Sequence, residues 1–452
     1  MGASSSTEEV SPEQREAESL AASTGALTVL EKAFSDLSDP QTHAKCFELS
    51  IDYQSCEASF KPENFPGLLN HLGHAIVDQF FIAEKGGLDW VAFLNGYTNC
   101  CGRMPTSSSL NNLLKVFGLA MVKSGATTGL QLESSEADHK INGYLLPADL
   151  LILLWMCWVM SWSSKNPELS KGKAKFGLPD INNLVLSAVS SCADGAADLN
   201  IWDCNLFDSN IQLPIGKLHV WALRTVPNLP ECLVQFIHSR LSNSSPQQGL
   251  VHFPYPEKYC TSSLHGKGLN RLWSNIEGYN GPILVLISAT SEDRSWIIGA
   301  LTHQAYENKD AFYGTSGSLY AISPVFDHFT SSGKEKNFVY SHLHSPGYER
   351  NPKPVGIAFG GSTGNERVFM DEDFSKLTGY LATEAQIFEV EAWGLGGEKA
   401  KKVQNSLKKR EELFTEQRRK IDLKTFTNWE DSPEKMMMDM VSNPNAAQRE
   451  RR

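Results

Sequence analysis

The residues whose types could do chemistry are spread along the chain and form no familiar catalytic pattern. His342 and His344 alternate, so on a strand both imidazoles would lie on one face and could bind a metal ion. Loop histidines without a ligand are more common. The sequence contains no G-x-S-x-G, H-E-x-x-H or G-x4-G-K-S/T motif, which would indicate a nucleophilic serine, a zinc protease or a phosphate-binding loop. We therefore expect neither a metal nor a cofactor.

The cysteines and the overall charge narrow the class of protein. There are nine cysteines, an odd number, and no two have C-x-x-C spacing. A disulfide framework usually shows an even, dense set in a short secreted chain, so we interpret these side chains as reduced thiols of the cytosol or nucleus. We interpret the adjacent Cys100 and Cys101 as core residues. The net charge of −11 argues against specific binding of nucleic acid.

The N-terminus carries a possible site of lipid attachment. Met1-Gly2-Ala3-Ser4-Ser5-Ser6 fits the pattern M-G-x-x-x-S/T, in which Gly2 accepts myristate after removal of Met1. The alternative is an unmodified polar tail, and we predict that residues 1–21 are disordered in either case. One myristoyl chain binds a membrane only marginally, so stable anchoring would need a second signal elsewhere.

Residues 398–424 predict a basic helix near the C-terminus. Between Glu398 and Lys420, nine Lys or Arg stand against four Glu, a local net charge of +5. A narrow apolar stripe between long charged side chains is typical of an exposed helix that binds a partner. The residues that we expect to bind it are Val403, Leu407, Lys408, Lys409, Arg410, Phe414, Arg418 and Ile421.

Three interpretations of this helix compete. It could be a solvated helix lying on its own domain, it could enter a groove of a large assembly, or it could approach anionic lipid as the second membrane anchor. The clusters Lys399–Lys402 and Lys408–Arg410 also resemble a nuclear import signal, which would place a pool of the protein in the nucleus or nucleolus. Residues 425–452 are predicted to be a disordered tail.

The first half of the chain is predicted to be helical. Apolar residues recur at three- and four-residue steps over residues 22–162, and their rhythm resembles EF-hand units without the calcium-binding consensus. A generic helical bundle is the alternative. The apolar stretch Leu150–Trp162 has thirteen residues, fewer than the roughly 20 needed to span a membrane, so we predict a buried core helix. A linker over 163–180 and a helical lead-in over 181–245 would follow.

From about residue 250 the pattern changes to short strands separated by turns. An apolar run at Pro282–Ile287 and another at Trp296–Leu301 predict a hairpin, with a turn over Ser288–Arg294. Further short strands with frequent Gly and Asn turns favour a β-sandwich. Together with the helical half, this gives an α+β fold class.

Five motifs in a fixed order carry a family resemblance. They are GPILVLISATSEDRSWIIGAL, FYGTSGSLYAISP, NFVY, GIAFGG followed by RVFMDEDF, and FEVEAWGLG. Their order resembles the TLDc domain, the family of oxidation resistance proteins and nuclear receptor coactivators, over residues 250–397. The resemblance implies two packed antiparallel sheets flanked by helices. One departure lies at Tyr380–Ala385, where the family usually has a cysteine and this chain has none.

The resemblance also implies candidate catalytic residues, because antioxidant activity has been suspected in the family. The matching positions are Ser316, Ser318, Glu389 and Glu391, together with Gly314. Each has a plain structural interpretation. The serines can close turns, the glutamates can be solvated on one strand face, and Gly314 and Gly317 can serve a positive φ or a close approach. We therefore favour a non-catalytic protein over a protective antioxidant enzyme.

A partner is the last implication of the resemblance. Related TLDc proteins bind the vacuolar proton-ATPase through the TLDc domain and the terminal helix, and lipid-anchored members with this order of segments act at lysosomes in growth signalling. We therefore expect a cytoplasmic adaptor, peripheral on vacuolar or lysosomal membranes, that takes part in oxidative-stress or growth signalling. After the adaptor and the antioxidant enzyme, the third hypothesis for the function is a nuclear interaction protein.

Overall fold

A computed structural model describes much of the chain in two compact units. The described residues are 11–37, 46–47, 49, 65–81, 88–131, 141–165, 178–193, 207, 210–242, 257–292, 294–343, 353–379, 384–427 and 435. One unit comprises residues 1–251 with 321–328, and the other comprises residues 252–320 with 329–452. The fold is α+β, as predicted, with a helical first half, a large antiparallel sheet and a C-terminal helix.

The first unit is built mainly from helices, as the apolar periodicity predicts. Their apolar faces meet in one hydrophobic core, in which Leu30, Leu72 and Phe117 are almost fully buried. The helices are α1 Pro12–Ser23, α2 Leu27–Leu37, α3 Phe65–Phe80, α4 Trp90–Cys101, α5 Thr106–Lys123, α6 Pro147–Lys165, α7 Asn182–Cys192, α8 Ile215–Thr225 and α9 Glu231–Ser242.

Helix α1 corrects the prediction of disorder over residues 1–21. The Ser11 side chain accepts a hydrogen bond from the Gln14 N–H, and Pro12 occupies the first helical turn, so the helix start is capped locally. The small side chains of Ala17 and Ala21 are buried against the core. The predicted acceptor Gly2 lies outside the described residues.

Helix α6 is the most apolar helix of the described chain. It spans 19 residues and is by length and composition the one described helix that could cross a membrane. The prediction counted only its thirteen central residues, so its length argument was wrong. Most of its side chains nevertheless lie in the interior of the helical unit, including Leu150, Trp155 and Met160. Burial, rather than length, supports a core helix.

Short strands lie between the helices of two pairs in this unit. Strand β2 (Asn142–Leu145) lies between α5 and α6, and β3 (Leu213–Pro214) lies between α7 and α8. They pair antiparallel, and β1 (Leu130–Gln131) pairs with the other edge of β2. The three short strands thus connect two helix–loop–helix units, α5 with α6 and α7 with α8. Within the described ranges, no group of three or more His, Cys, Asp or Glu could hold a metal ion.

Eleven further strands form one antiparallel sheet, and three helices accompany it. Along β5 the side chains alternate between buried and partly exposed, which packs Ile283, Val285 and Ile287 into the second core. The strands are β4 Glu257–Thr261, β5 Ile283–Ser291, β6 Arg294–Thr302, β7 Lys309–Tyr313, β8 Gly317–Ser323, β9 Asp327–Thr330, β10 Val339–His342, β11 Gly356–Ser362, β12 Asn365–Asp371, β13 Lys376–Thr378 and β14 Ala385–Gly394. The helices are α10 Ser262–His265, α11 Leu269–Ile276 and α12 Gly397–Thr427.

Strands β4–β14 form one hydrogen-bonded sheet, where the family resemblance implied two packed sheets. Its strand order is β7-β10-β11-β12-β13-β14-β5-β6-β8-β9, with β4 also paired to β14, so hydrogen bonding is continuous. The sheet must bend back on itself, because β7 and β8 lie near opposite ends of this order and yet only residues 314–316 separate them in the chain. A side chain on Gly317 would overlap the Phe338 ring, and the Phe338 N–H donates to Gly314 O at 3.2 Å.

Candidate functional site

The C-terminal helix α12 is anchored by its first turns to the domain that precedes it. Ala400 is buried, and its Cβ would lie 3.1 Å from a Cβ on Gly281 and 2.8 Å from one on Gly396. The absence of side chains at these two glycines therefore makes room for the helix. The Tyr279 hydroxyl accepts a hydrogen bond from the Gly396 N–H at 2.7 Å, which fixes the entry of the chain into α12.

Two polar side chains of α12 bind the end of helix α11. The Gln404 amide nitrogen donates to Asn275 O at 2.8 Å and to Glu277 O at 2.9 Å, and the residue is 2% exposed. Lys408 Nζ donates to Ser274 O at 2.9 Å. The last carbonyls of a helix lack intrahelical donors and carry partial negative charge, so an amide and an ammonium group both stabilise this end.

After Lys408 the helix becomes exposed over residues 409–420. Every residue from Lys409 to Lys420 is exposed, including Leu413 at 52% and Phe414 at 60%. Over these residues five Lys or Arg stand against three Glu, so the segment carries a net charge of +2. We call Lys409–Lys420 the free segment of α12. An amphipathic segment of this kind can dock against a partner that supplies an apolar groove and acidic residues.

The predicted partner-binding residues divide between these two parts of α12. Leu407 packs against Gly278 and Lys408 contacts α11, so both serve to anchor the helix. Val403 is 42% exposed near the base. The remaining predicted residues with described side chains lie on the free segment: Lys409, Arg410, Phe414 and Arg418. The side chain of Ile421 lies outside the described part of the chain.

Sequence reasoning missed two residues of this helix. Leu413 is exposed beside Phe414, but it lies outside the stripe of apolar residues counted at helical spacing. Gln404 is the most buried described residue of α12, yet nothing in its own type indicates burial. The burial of Gln404 could have been predicted from its spacing of four residues from both Ala400 and Lys408, because this spacing places all three side chains on one face of the helix.

The two predicted acidic residues lie on β14 and hold neighbouring side chains. Glu391 forms an ion pair with Lys258 of β4 and accepts a hydrogen bond from Trp393 Nε1 at 2.9 Å. The Lys258 ammonium also lies 5.2 Å from the centre of the Trp393 ring. Glu389 accepts a hydrogen bond from the Ser263 hydroxyl at 2.6 Å. Both carboxylates therefore join β14 to β4 and α10.

The two predicted serines lie elsewhere in the sheet. Ser316 is exposed in the turn before β8, and Ser318 is buried within β8. Strands β5 and β6 separate β8 from β14, so three strand spacings of about 4.8 Å place the serines roughly 14 Å from the glutamates. The structure does not bring these residues together as a nucleophile and its base, a contact that requires about 3 Å.

The glycines beside the serines have the structural roles predicted for them. Gly314 has a φ of +77°, a conformation that non-glycine residues rarely adopt. Gly317 is packed against the Phe338 ring so closely that any side chain would overlap it. The two glycines of the motif FYGTSG are therefore explained by the turn between β7 and β8.

A buried polar network joins β7 to β10. The Tyr313 hydroxyl lies 2.6 Å from the Ser341 hydroxyl and accepts a hydrogen bond from the Glu307 N–H at 2.8 Å. Ser341 Oγ donates to Glu307 O at 2.7 Å. Burial raises the pKa of Tyr313, so the phenol stays protonated and can act as a donor. These hydrogen bonds satisfy buried groups and so stabilise the strand pair.

The histidines considered as metal ligands do not form a described site. His342 is buried on β10, where Nδ1 lies 3.4 Å from the Tyr340 hydroxyl. Burial raises the pKa of Tyr340 to about 12, and that hydroxyl also donates to Pro354 O at 2.7 Å. His344 lies outside the described residues. His342 is thus held within the aromatic and polar interior of the sheet.

Comparison with known proteins agrees with the order of motifs. A model of the TLDc domain matches residues 231–406, a range that begins at α9 and ends in the first turns of α12. The range predicted from the motifs, 250–397, lies inside it. A search of the curated proteins finds no match to the chain. The curved antiparallel sheet and the first turns of α12 thus lie in one domain, and residues 231–406 of the chain are a TLDc domain.

Proposed function

We propose that the protein is a non-catalytic adaptor whose free segment of α12 binds a membrane-associated protein complex. The observation that carries this proposal is the change in exposure at Lys408. Ala400, Gln404 and Lys408 contact the domain, whereas every residue from Lys409 to Lys420 is exposed. Leu413 and Phe414 would otherwise gain by burial, roughly 1.5–3 kcal/mol for each large apolar side chain. Their exposure therefore favours a binding partner.

The partner that we propose is the vacuolar proton-ATPase, on the basis of the family resemblance. Such a complex offers subunits large enough to enclose a helix, and the net positive charge of the free segment favours an acidic groove. Whether binding activates or inhibits the complex depends on the partner surface. A role in oxidative-stress or growth signalling would follow from control of this complex.

The proposed location is the cytoplasmic face of vacuolar or lysosomal membranes. Myristate on Gly2 would supply a weak lipid anchor, and the ATPase would supply the second attachment that a single acyl chain requires. Direct binding of anionic lipid by the free segment is a further contribution that we propose, worth up to about 1 kcal/mol for each Lys or Arg near the surface.

Quantitative co-purification of the ATPase from membranes tests the proposal. We expect the full chain to recover ATPase subunits, and a chain that ends at Lys409 to lose them while keeping Ala400, Gln404 and Lys408. The double variant Leu413→Asp with Phe414→Asp should lower recovery about tenfold or more, because apolar anchors commonly contribute about 2 kcal/mol or more to an interface.

A matched control separates loss of the apolar contact from the added negative charge. Asn405→Asp with Ser406→Asp introduces the same charge at two exposed positions of the same helix, and we expect recovery close to that of the unmodified chain. Gly2→Ala should reduce recovery from membranes but not from detergent extracts. Equal recovery by the full chain and the Leu413→Asp, Phe414→Asp variant would reject the role of the free segment. No recovery by any variant would reject the ATPase as the partner and favour the nuclear reading.

A further inference from the structure

Three Asn-Gly dipeptides occur in the chain, at residues 95–96, 142–143 and 280–281. An asparagine before glycine can lose ammonia without an enzyme, because the glycine has no Cβ to shield its backbone nitrogen from the asparagine side chain. The reaction also needs a backbone that can bring this nitrogen to the side-chain Cγ atom. Since glycine follows the asparagine in all three dipeptides, the fold around each one decides which of them reacts.

Helix α4 protects the first dipeptide. Asn95 and Gly96 lie in the middle of this helix, where backbone N–H groups are bonded to carbonyls one turn earlier. A Cβ built on Gly96 would overlap Phe80 O, so this part of the backbone is also packed tightly against the end of α3. The Gly96 nitrogen could approach the Asn95 side chain only if α4 opened locally.

Strand pairing protects the second dipeptide. Asn142 and Gly143 begin β2, and they pair with two residues of β1. Gly143 has a φ of +105°, and a Cβ there would overlap Gly129 O. The backbone is therefore held by its neighbour in a conformation that only glycine adopts readily. Reaction at Asn142 thus requires β1 and β2 to separate.

The third dipeptide lies outside any helix or strand. Asn280 is exposed in the loop between α11 and β5. Within the described part of the chain, neither its side-chain amide nor the Gly281 N–H forms a hydrogen bond. Water can therefore reach Asn280, and no hydrogen bond of a helix or sheet has to break before the Gly281 nitrogen meets the Asn280 Cγ atom.

The loop that contains Asn280 also holds the base of α12. Pro282 O accepts a hydrogen bond from the Leu395 N–H at 2.8 Å. Gly281 packs so closely on the helix that a Cβ there would lie 3.1 Å from Ala400 Cβ. A change in the length of this loop would therefore disturb the contacts that anchor the first turns of α12.

We propose that Asn280–Gly281 is a site of spontaneous deamidation, and that the isoaspartate formed there loosens the base of α12. The Gly281 nitrogen loses its proton and attacks Asn280 Cγ, the bond from Cγ to the amide nitrogen breaks, and that nitrogen leaves as ammonia. Water then adds to one carbonyl of the cyclic imide and breaks one of its C–N bonds, which gives either aspartate or isoaspartate. Water is the co-reactant, and no group is oxidised or reduced.

Isoaspartate differs from aspartate in the path of its main chain. The peptide bond to Gly281 runs through the former side-chain carbonyl, so the backbone gains one carbon atom before the Gly281 nitrogen. This added length falls beside the close contact of Gly281 with α12, and a packed interface tolerates such an insertion poorly. Isoaspartate would therefore release α12 gradually as the protein ages. The proposal needs no partner of α12, so it can be tested separately from binding of the ATPase.

Peptide mapping of the aged full chain tests the site. The protein is incubated in mildly alkaline buffer, which favours loss of the proton from the attacking nitrogen, and mass spectrometry follows the conversion of each amide to an acid. We expect Asn280 to convert at least about tenfold faster than Asn95 and Asn142, which corresponds to about 1.4 kcal/mol of local opening at the protected sites. In denaturant the three rates should become similar. Equal rates in the folded protein, or a difference that persists in denaturant, would overturn the proposal.

Hydrogen exchange tests the effect on α12. The deamidated protein is separated by its added negative charge, and the protease Asp-N, which cuts before aspartate but not before isoaspartate, identifies the isomer. We expect the backbone amides of residues 397–408 to exchange about tenfold faster or more in the isoaspartate form than in fresh protein, because the anchored helix opens more often.

Two variants separate the added length from the added charge. Freshly purified Asn280→Asp carries the charge on an ordinary main chain and should exchange like the unmodified protein. Asn280→Gln forms a cyclic imide far more slowly and should keep slow exchange after the same incubation. Unchanged exchange in the isoaspartate form, or equal acceleration in fresh Asn280→Asp, would overturn the effect proposed for the lengthened backbone.

Discussion

Replacement of Gln404 by leucine should release the base of α12 from its domain. The change keeps the side-chain volume similar but removes both hydrogen bonds, to Asn275 O at 2.8 Å and to Glu277 O at 2.9 Å. It also leaves these carbonyls in a buried position without the amide. Lys408 Nζ lies 3.4 Å from Asn275 O, so the Asn275 carbonyl keeps one donor and the Glu277 carbonyl is affected most.

The magnitude follows from the two hydrogen bonds. Each is worth about 0.5–1.5 kcal/mol net, so the docking of the helix should weaken by about 2 kcal/mol. That free energy corresponds to about a 30-fold increase in the undocked population. The undocked helix is also less stable by itself, because isolated helices depend on packing for most of their stability.

Hydrogen exchange followed by mass spectrometry measures this population directly. We expect the backbone amides of residues 397–408 to exchange about 30-fold faster in Gln404→Leu, since local opening governs exchange in the native state. Gln417→Leu is the matched control, because Gln417 is an exposed glutamine of the same helix. Equal exchange in both variants would refute the reasoning that the buried amide of Gln404 anchors α12.

Three further predictions concern the rest of the molecule. Gly317→Ala should lower the free energy of unfolding by about 1–3 kcal/mol, because its Cβ would overlap the Phe338 ring. Gly216→Ala is the control, since a Cβ there meets open space and should not destabilise the protein. Thermal unfolding of the two variants compares these effects. Glu391→Gln should lower the free energy of unfolding, measured by chemical denaturation, by less than about 1 kcal/mol, because the ion pair of Glu391 with Lys258 is partly exposed. If the unmodified chain consumed peroxide and this variant did not, a purely structural role for Glu391 would be contradicted. Burial raises the pKa of Asp149. The Asp149 carboxyl therefore keeps its proton in the folded protein at pH values above about 3.9, where it loses that proton in the unfolded protein. The stability of the unmodified chain relative to Asp149→Asn should therefore fall as pH rises from that value through the raised pKa, and a constant difference between their melting temperatures would contradict this.

Local patterns predicted much of the fold because each element carries its own signal. The three- and four-residue spacing of apolar residues predicted α2, α3 and α5, and the β-branched runs predicted β5 and β6. The turn between β5 and β6 is shorter than Ser288–Arg294, since the strands pair as far as Ser291 and Arg294. The polar residues Ser288 and Thr290 lie within a strand because backbone pairing, rather than side-chain type, decides where a hairpin ends.

The candidate site was less predictable because it depends on contacts between distant segments. The free segment of α12 was foreseen from its charge and apolar stripe, whereas its base was not. Gln404 is buried only because α11 ends beside it with unpaired carbonyls, and no local pattern in residues 397–408 encodes that neighbour. In the same way, Ser318 and Glu391 looked like possible partners until the strand order placed β5 and β6 between them.

Helix α12 behaves mechanically as a lever that is clamped at one end. From Lys408 to Thr427 it continues for 19 residues, so at 1.5 Å per residue its arm is about 28 Å long. A rotation of about 10° at the clamp would therefore move the tip by about 5 Å. A small shift of α11 under Gln404 and Lys408 would be amplified along this arm, and a force applied at the tip would be transmitted back to the start of β5 and the end of β14.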